Sequence, residues 1–267
     1  MKIIRYLGTD GQLHHAAQQD DGTAYDIDGD LYGDSHVTER RSDIQKLLAP
    51  IVPSVIIGIG LNYRHHAAET GAKVPEYPIV FTKTPNTLQN PNDPILIPTF
   101  LRSDEVDYEG ELAVVIGKRG KNIAKEQALN YVLGYTAAND VSARDWQMAR
   151  GGSQWTRGKS FDTFCPLGPC LVTPEEISNP NSLGIKTVLS GEVVQDWNTS
   201  DMIFDVPALI AFLSASTTLL LGTVILTGTP QGVGMARKPP RWLKPGDIVS
   251  IEIEKIGTLT NPVEAER

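Results

Sequence analysis

Three carboxylates in this chain are spaced to share one cation. Glu109 and Glu111 lie two residues apart at the front of an apolar run over residues 112–116. In a strand, positions i and i+2 project to the same face, so the two side chains would stand side by side. Burying two like charges together is costly unless something positive sits between them. A hard divalent cation with oxygen ligands answers that cost, and Mg²⁺ commonly takes a few carboxylates plus water and substrate. Asp140 offers a third carboxylate where the apolar stretch GYTAAN ends. A bare Glu-x-Glu is more often a solvated strand face, so the weight of the metal reading rests on what else the chain supplies.

It offers a candidate base and a candidate cation, each with a plainer reading on local sequence alone: an exposed helical ion pair for the first, which is the commoner case, and a surface lysine for the second. His66 and Glu69 are three apart in RHHAAETG, which places them on one face of a helical turn. A carboxylate beside a histidine fixes its tautomer and makes it a better base. Lys159 lies in Gly-Lys-Ser at 158–160. That tripeptide is not a phosphate-binding loop, because Ser153 stands where the first glycine would be needed. Gly58-Ile59-Gly60 fails likewise as a dinucleotide fingerprint, since Tyr63 occupies the third glycine position. The glycine-rich stretch closing residues 222–234 could present backbone N–H groups to an anionic ligand.

The elements that must position these groups are mostly strands. Residues 52–63 read as a buried strand entering a turn, and 78–83 as a strand with Lys83 at its end. The carboxylate strand follows, then a helix over 124–132 and the strand before Asp140. Residues 171–196 read as a meander with Ser190-Gly191 as a hairpin turn. A helix is expected over 206–214, with Asp205 as N-cap and Pro207 in its first turn. Two strands separated from the preceding segment by Pro245-Gly246-Asp247 close the chain. In residues 1–50, strands are expected at the start and a short helix over 40–50 with Asp43 as its cap. The class is α+β, predominantly β.

Composition narrows the partners. The 267 residues are enough for one large domain or one with a small appendage, and 40% are hydrophobic. Against 24 basic residues stand 32 acidic ones, a net charge of −8, which argues against nucleic acid or an anionic membrane as the main partner. There is no spanning apolar run and no secretion signal in the opening residues. Cys165 and Cys170 are too close for a disulfide framework. A cytoplasmic location is the expectation.

The motifs GLNYRHHAAE, PIVFTK, EVDYEGELAVVIGK, NDVSARDWQ, GKSFDTFCPLGP, SGEVVQ and ILTGTPQGVG with LKPGD run in order from Ile57 to the end. Together they resemble the fumarylacetoacetate hydrolase family, most closely its branch of fumarylacetoacetate hydrolase domain-containing proteins. The resemblance implies a mixed β-sandwich roll over residues 51–267, with residues 1–50 as a small β-rich cap, and a homodimer. It implies that Glu109, Glu111 and Asp140 hold Mg²⁺, with Mn²⁺ or Ca²⁺ as alternatives. It places His66 and Glu69 as a dyad on a lid, Lys159 beside the substrate, and Gln147, Arg144, Tyr63 and Thr229 around the pocket. Asp107 shares a face with Glu109 but is not a family ligand. The expected activity is divalent-metal-dependent, on a small 2-oxo acid through a metal-chelated enolate, with hydrolysis of a C–C bond of an acylpyruvate foremost. Oxaloacetate tautomerase or decarboxylase is the alternative, and a non-catalytic metal-binding dimer the remote one.

Overall fold

The computed structural model describes residues 1–267. It is predominantly β, as expected, and two sheets carry it. The larger has twelve strands, and its central run is Cys165–Val172, Val132–Asn139, Gly110–Ile116, Thr223–Leu226, Val55–Gly60 and Ile79–Lys83. The smaller has five, in the order Glu192–Asn198, Gly184–Leu189, Ile248–Ile253, Gly257–Ala265 and Ile95–Ile97. The strand Gly110–Ile116 is buried at every position. Its unbroken apolar run follows from a place between two strands with both faces covered.

The register brings several strand ends to one place. Gly110 pairs with Asn139 in an antiparallel ladder, so the start of one strand meets the end of the other. Thr223–Leu226 runs antiparallel to Gly110–Ile116 and parallel to Val55–Gly60. The segments leaving Asn139, Leu226 and Gly60 therefore emerge beside Glu109 and Glu111. From Gly60 the chain enters helix α1 (Arg64–Thr70), closed by Gly71 in the left-handed region at φ 68°, a conformation in which glycine carries no Cβ penalty. Helix α2 (Trp155–Lys159) follows a π-helical segment, Asp145–Arg150. Helix α3 (Val206–Ser214) begins as expected: the Asp205 carboxylate accepts from the Ala208 N–H at 2.8 Å and Pro207 sits in the first turn.

Residues 1–48 contribute five strands, and Lys2–Gly8 joins them to the large sheet by pairing with Cys165–Val172. The helix expected over 40–50 is absent. Ile44–Leu48 is instead a strand on Lys2–Gly8, and Asp43 accepts from the Thr9 hydroxyl rather than capping anything. Ladder pairing with a distant strand overrides local propensity there. The helix expected over 124–132 is a 3₁₀ helix, Lys125–Tyr131. Ala124 before it offers no side-chain cap, and the segment runs straight into the strand Val132–Asn139.

Candidate active site

Glu109, Glu111 and Asp140 come together, buried, each offering an oxygen within 4.8 Å of the others. Backbone register does most of the work: the Asp140 N–H donates to the Glu109 carbonyl at 2.9 Å, and the Glu109 N–H donates to Asn139 Oδ1 at 3.0 Å. Around them lies a second ring of buried charge. Lys159 Nζ donates to Glu109 Oε2 at 2.7 Å and to Asp140 Oδ2 at 2.6 Å. Lys83 Nζ donates to the other Asp140 oxygen at 2.6 Å. Arg144 Nη2 lies 2.7 Å from Glu109 Oε1, while its Nε donates to Asp107 Oδ2 at 2.9 Å.

These contacts divide the carboxylates electrostatically. Burial works to raise Glu109, but the charges of Lys159 and Arg144 outweigh it and hold the group well below the usual carboxylate range. Glu111 is pushed well above that range, by burial first and then by the charges on Asp140 and Glu109. Its one hydrogen bond to the backbone is from the Gly228 N–H, at 2.6 Å. Lys159 is a firm cation, since Asp140 and Glu109 together outweigh the lowering effect of burial. Four buried carboxylates, Asp107 included, thus face three buried cations, and Glu111 is the one without a cationic partner. An all-oxygen donor set with one uncompensated carboxylate fits a hard divalent cation.

His66 is buried, not part of an exposed helical pair. Its Nδ1 lies 2.7 Å from Glu69 Oε1, and Nε2 has no protein partner. The other Glu69 oxygen accepts the Gly232 N–H at 2.9 Å, tying α1 to the loop after Thr223–Leu226. The glycine-rich loop therefore does present N–H groups, but to the protein's own carboxylates: Gly228 to Glu111, Gly232 to Glu69 and Gly234 to Asp107 at 2.7 Å.

A cavity of about 310 Å³ opens over this cluster, bordered by His66, Glu109, Glu111, Arg144, Gln147, Lys159 and Thr229 among others. Gln147 Oε1 accepts from Arg144 Nη1 at 3.0 Å. Thr229 Oγ1 donates to the Gly110 carbonyl at 3.0 Å and accepts from Gln195 Nε2 at 2.8 Å. Tyr63 departs from expectation. It is the fully buried N-cap residue of α1, its hydroxyl has no partner, and it does not border the cavity. Three contributors are not among the expected site residues, although each lies in one of the motifs. Lys83 backs Asp140, Asp107 anchors Arg144, and Gln195 of the small sheet props Thr229 and accepts the Gly110 N–H. For Lys83 a signal exists, because a lysine ending an apolar strand is rarely buried unless paired.

The fumarylacetoacetate (FAA) hydrolase C-terminal family profile matches residues 55–264. The chain belongs to the fumarylacetoacetate hydrolase family. It is 53% identical over 234 residues to a Xenopus laevis protein named as a mitochondrial oxaloacetate tautomerase, covering 87% of this chain and 72% of that one. A Homo sapiens protein, also named as a mitochondrial oxaloacetate tautomerase, is 50% identical over 224 residues, covering 84% of this chain and 70% of that one. The crystal structure of a 5-carboxymethyl-2-hydroxymuconate delta-isomerase from Mycobacterium smegmatis matches with a TM-score of 0.87 and 40% identity, over 100% of both chains. These relatives of the fumarylacetoacetate hydrolase family correct the cytoplasmic expectation, since the Xenopus and human proteins are both named mitochondrial. Their names also favour the isomerase alternative over C–C hydrolysis as the leading activity.

Proposed function

We propose that the protein is an oxaloacetate tautomerase, interconverting keto and enol forms with Mg²⁺ held by Glu109, Glu111 and Asp140. The observation that carries this reading is a His66–Glu69 dyad whose histidine borders the same cavity as Glu109 and Glu111 of a buried three-carboxylate set. A divalent cation there would supply Lewis-acid polarisation of the 2-oxo carbonyl and so acidify the protons on C3.

The chain's own residues do the rest. Glu69 fixes the His66 ring through Nδ1, leaving Nε2 to take the proton from C3 and return it. The Lys159 ammonium offsets the negative charge that grows on the C2 oxygen. Gln147, with its oxygen committed to Arg144, has its amide N–H₂ left for a substrate carboxylate. Helix α1, held down by Glu69 and Gly232, shields the proton transfer from bulk water. Hydrolysis would need water to attack a distal carbonyl, and in oxaloacetate that position is a carboxylate, a poor electrophile. With this substrate the dyad shuttles a proton and no carbon–carbon bond breaks.

Product analysis tests the proposal. Mg²⁺-loaded protein added to enol-oxaloacetate should speed the loss of the enol ultraviolet band without forming pyruvate. Stoichiometric pyruvate and CO₂ would identify a decarboxylase, and cleavage of acetylpyruvate at a higher kcat/KM would identify a hydrolase. The homodimer that the family resemblance implies belongs to the same proposal; a monomer mass in sedimentation equilibrium would remove it.

A further inference from the structure

We propose that the cavity holds an apolar subsite beside its charged head-group residues, and that the enzyme also tautomerises 2-oxo acids bearing an aryl or branched alkyl group on C3. This rests on the tautomerase reading and extends its substrate class.

The wall of the cavity is divided in chemistry. Its cations, Arg144 and Lys159, are already paired with Asp107, Glu109 and Asp140. Much of the remaining lining is apolar: Ile59, Leu61, Ile79, Met148, Trp155 and Met235. A second carboxylate gains nothing from that surface, whereas a ring does. At about 310 Å³ the space lies in the range occupied by ligands larger than a four-carbon dicarboxylate.

The backbone is shaped to make this surface. Gly60 pairs with Ile79 across neighbouring strands, and a Cβ on Gly60 would stand 2.2 Å from the Trp155 ring. A Cβ on Gly58 would stand 2.2 Å from the Phe81 ring. The two glycines that failed as a dinucleotide motif thus let two aromatic rings approach the strand Val55–Gly60 closely, tilted 56° to each other. Those rings are 5.7 Å apart, and Lys159 Nζ sits 4.8 Å from the Phe81 centroid. An apolar aromatic surface therefore begins one ring away from the head-group ammonium. Leu61, next in the chain, holds a left-handed backbone at φ 56° while its side chain borders the cavity. That conformation is uncommon for a bulky residue and persists where the surroundings enforce it. Ile79 and Met148 are 36% and 55% exposed, large apolar groups left open to solvent where a ligand would cover them.

The chemistry needs no further reactant. The C3–H bond breaks, its electrons form C2=C3, and the former carbonyl oxygen gains a proton; the product is an isomer of the substrate. An aryl group on C3 conjugates with the new double bond, which favours the same step.

Phenylpyruvate is the probe. Tautomerisation of phenylpyruvate and of oxaloacetate is measured with the Mg²⁺-loaded protein, and phenylpyruvate binding is measured separately by calorimetry. The expected result is turnover of phenylpyruvate with a KM below that for oxaloacetate. Trp155→Ala should cut the phenylpyruvate-to-oxaloacetate ratio of kcat/KM about tenfold or more, the range expected when an apolar contact is removed. Ile79→Thr, on an exposed edge position that tolerates a β-branched residue, should lower the same ratio and guards against misfolding of the tryptophan variant. Oxaloacetate turnover with neither binding nor turnover of phenylpyruvate overturns the subsite, as does an unchanged ratio in both variants. Phenylpyruvate binding that weakens in Trp155→Ala, without oxaloacetate turnover, supports the subsite and removes the oxaloacetate reading instead.

Discussion

Glu111 is the residue on which the charge balance of the site turns. Its carboxyl lies well above the ordinary range because of burial and the charges on Asp140 and Glu109. The folded metal-free protein therefore keeps a proton that the unfolded chain gives up near the normal glutamate value. From that value upward, through the raised one, the native state binds more protons than the unfolded state, so this group makes metal-free stability fall as pH rises. A cation bound at Glu111 has to displace the proton, so Mg²⁺ affinity should rise with pH across the same window. Calorimetry in two buffers of different ionisation enthalpy should show proton release on Mg²⁺ binding. Glu111→Gln should abolish that release and weaken binding; release of the same size in the variant would move the proton to another group. Lys83 gives a second prediction. Its ammonium is wholly buried against Asp140, and removing one partner of a buried pair costs about 3–5 kcal/mol. Lys83→Met should lose that much in urea unfolding, and a change below about 1 kcal/mol would show that Lys159 alone satisfies Asp140.

Between elements, Glu69 is the connection with the most consequences. One oxygen orients His66 and the other holds the Gly232 N–H, so a single side chain couples α1 to the loop that also serves Glu111. Glu69→Ala should lower kcat about 10²-fold or more, the scale of a lost general base, and should speed amide hydrogen exchange in residues 64–71. Faster exchange with kcat retained would separate the latch from the chemistry. Elements of this kind differ in how legible they are in the sequence. Helix α3 is written locally, in the Asp205 cap, Pro207 and an apolar face, and the hairpin at Ser190 and Gly191 is written in two residues that take positive φ. His66 and Glu69 are one turn apart, so their pairing can be read from spacing. The strand Ile44–Leu48 cannot be read that way, because its reason is a ladder with Lys2–Gly8. The same holds for Lys83, Asp107 and Gln195, whose partners Asp140, Arg144 and Gly110 lie dozens of residues away in sequence. Glu109, Glu111 and Asp140 are legible as carboxylates on converging strands, while the cations that separate their ionisation come from three separate elements: Lys83 ends Ile79–Lys83, Lys159 ends α2, and Arg144 precedes the π-helical segment.

For the whole molecule, a cation at the proposed three-carboxylate site would also be a stability device. Each of its three carboxylates comes from near the end of a large-sheet strand, and Gln195 reaches the same place from the small sheet. A cation binding there favours the state in which these elements are already assembled, because the unfolded chain leaves the ligands apart in sequence. The native state should therefore gain RT ln(1 + [Mg²⁺]/Kd), about 2.7 kcal/mol at a hundredfold excess over Kd. In a protein this size, at about 2–4 °C per kcal/mol, Tm should rise by roughly 5–10 °C. Excess EDTA should reverse that rise and abolish tautomerase activity together. Monovalent salt at matched ionic strength controls for screening of the overall charge of −8. If Mg²⁺ and that control raise Tm equally, the effect is screening of the surface and no specific ion binds. If EDTA leaves turnover intact while lowering Tm, the cation holds the fold and the carbonyl is polarised by Lys159 and Arg144 without it.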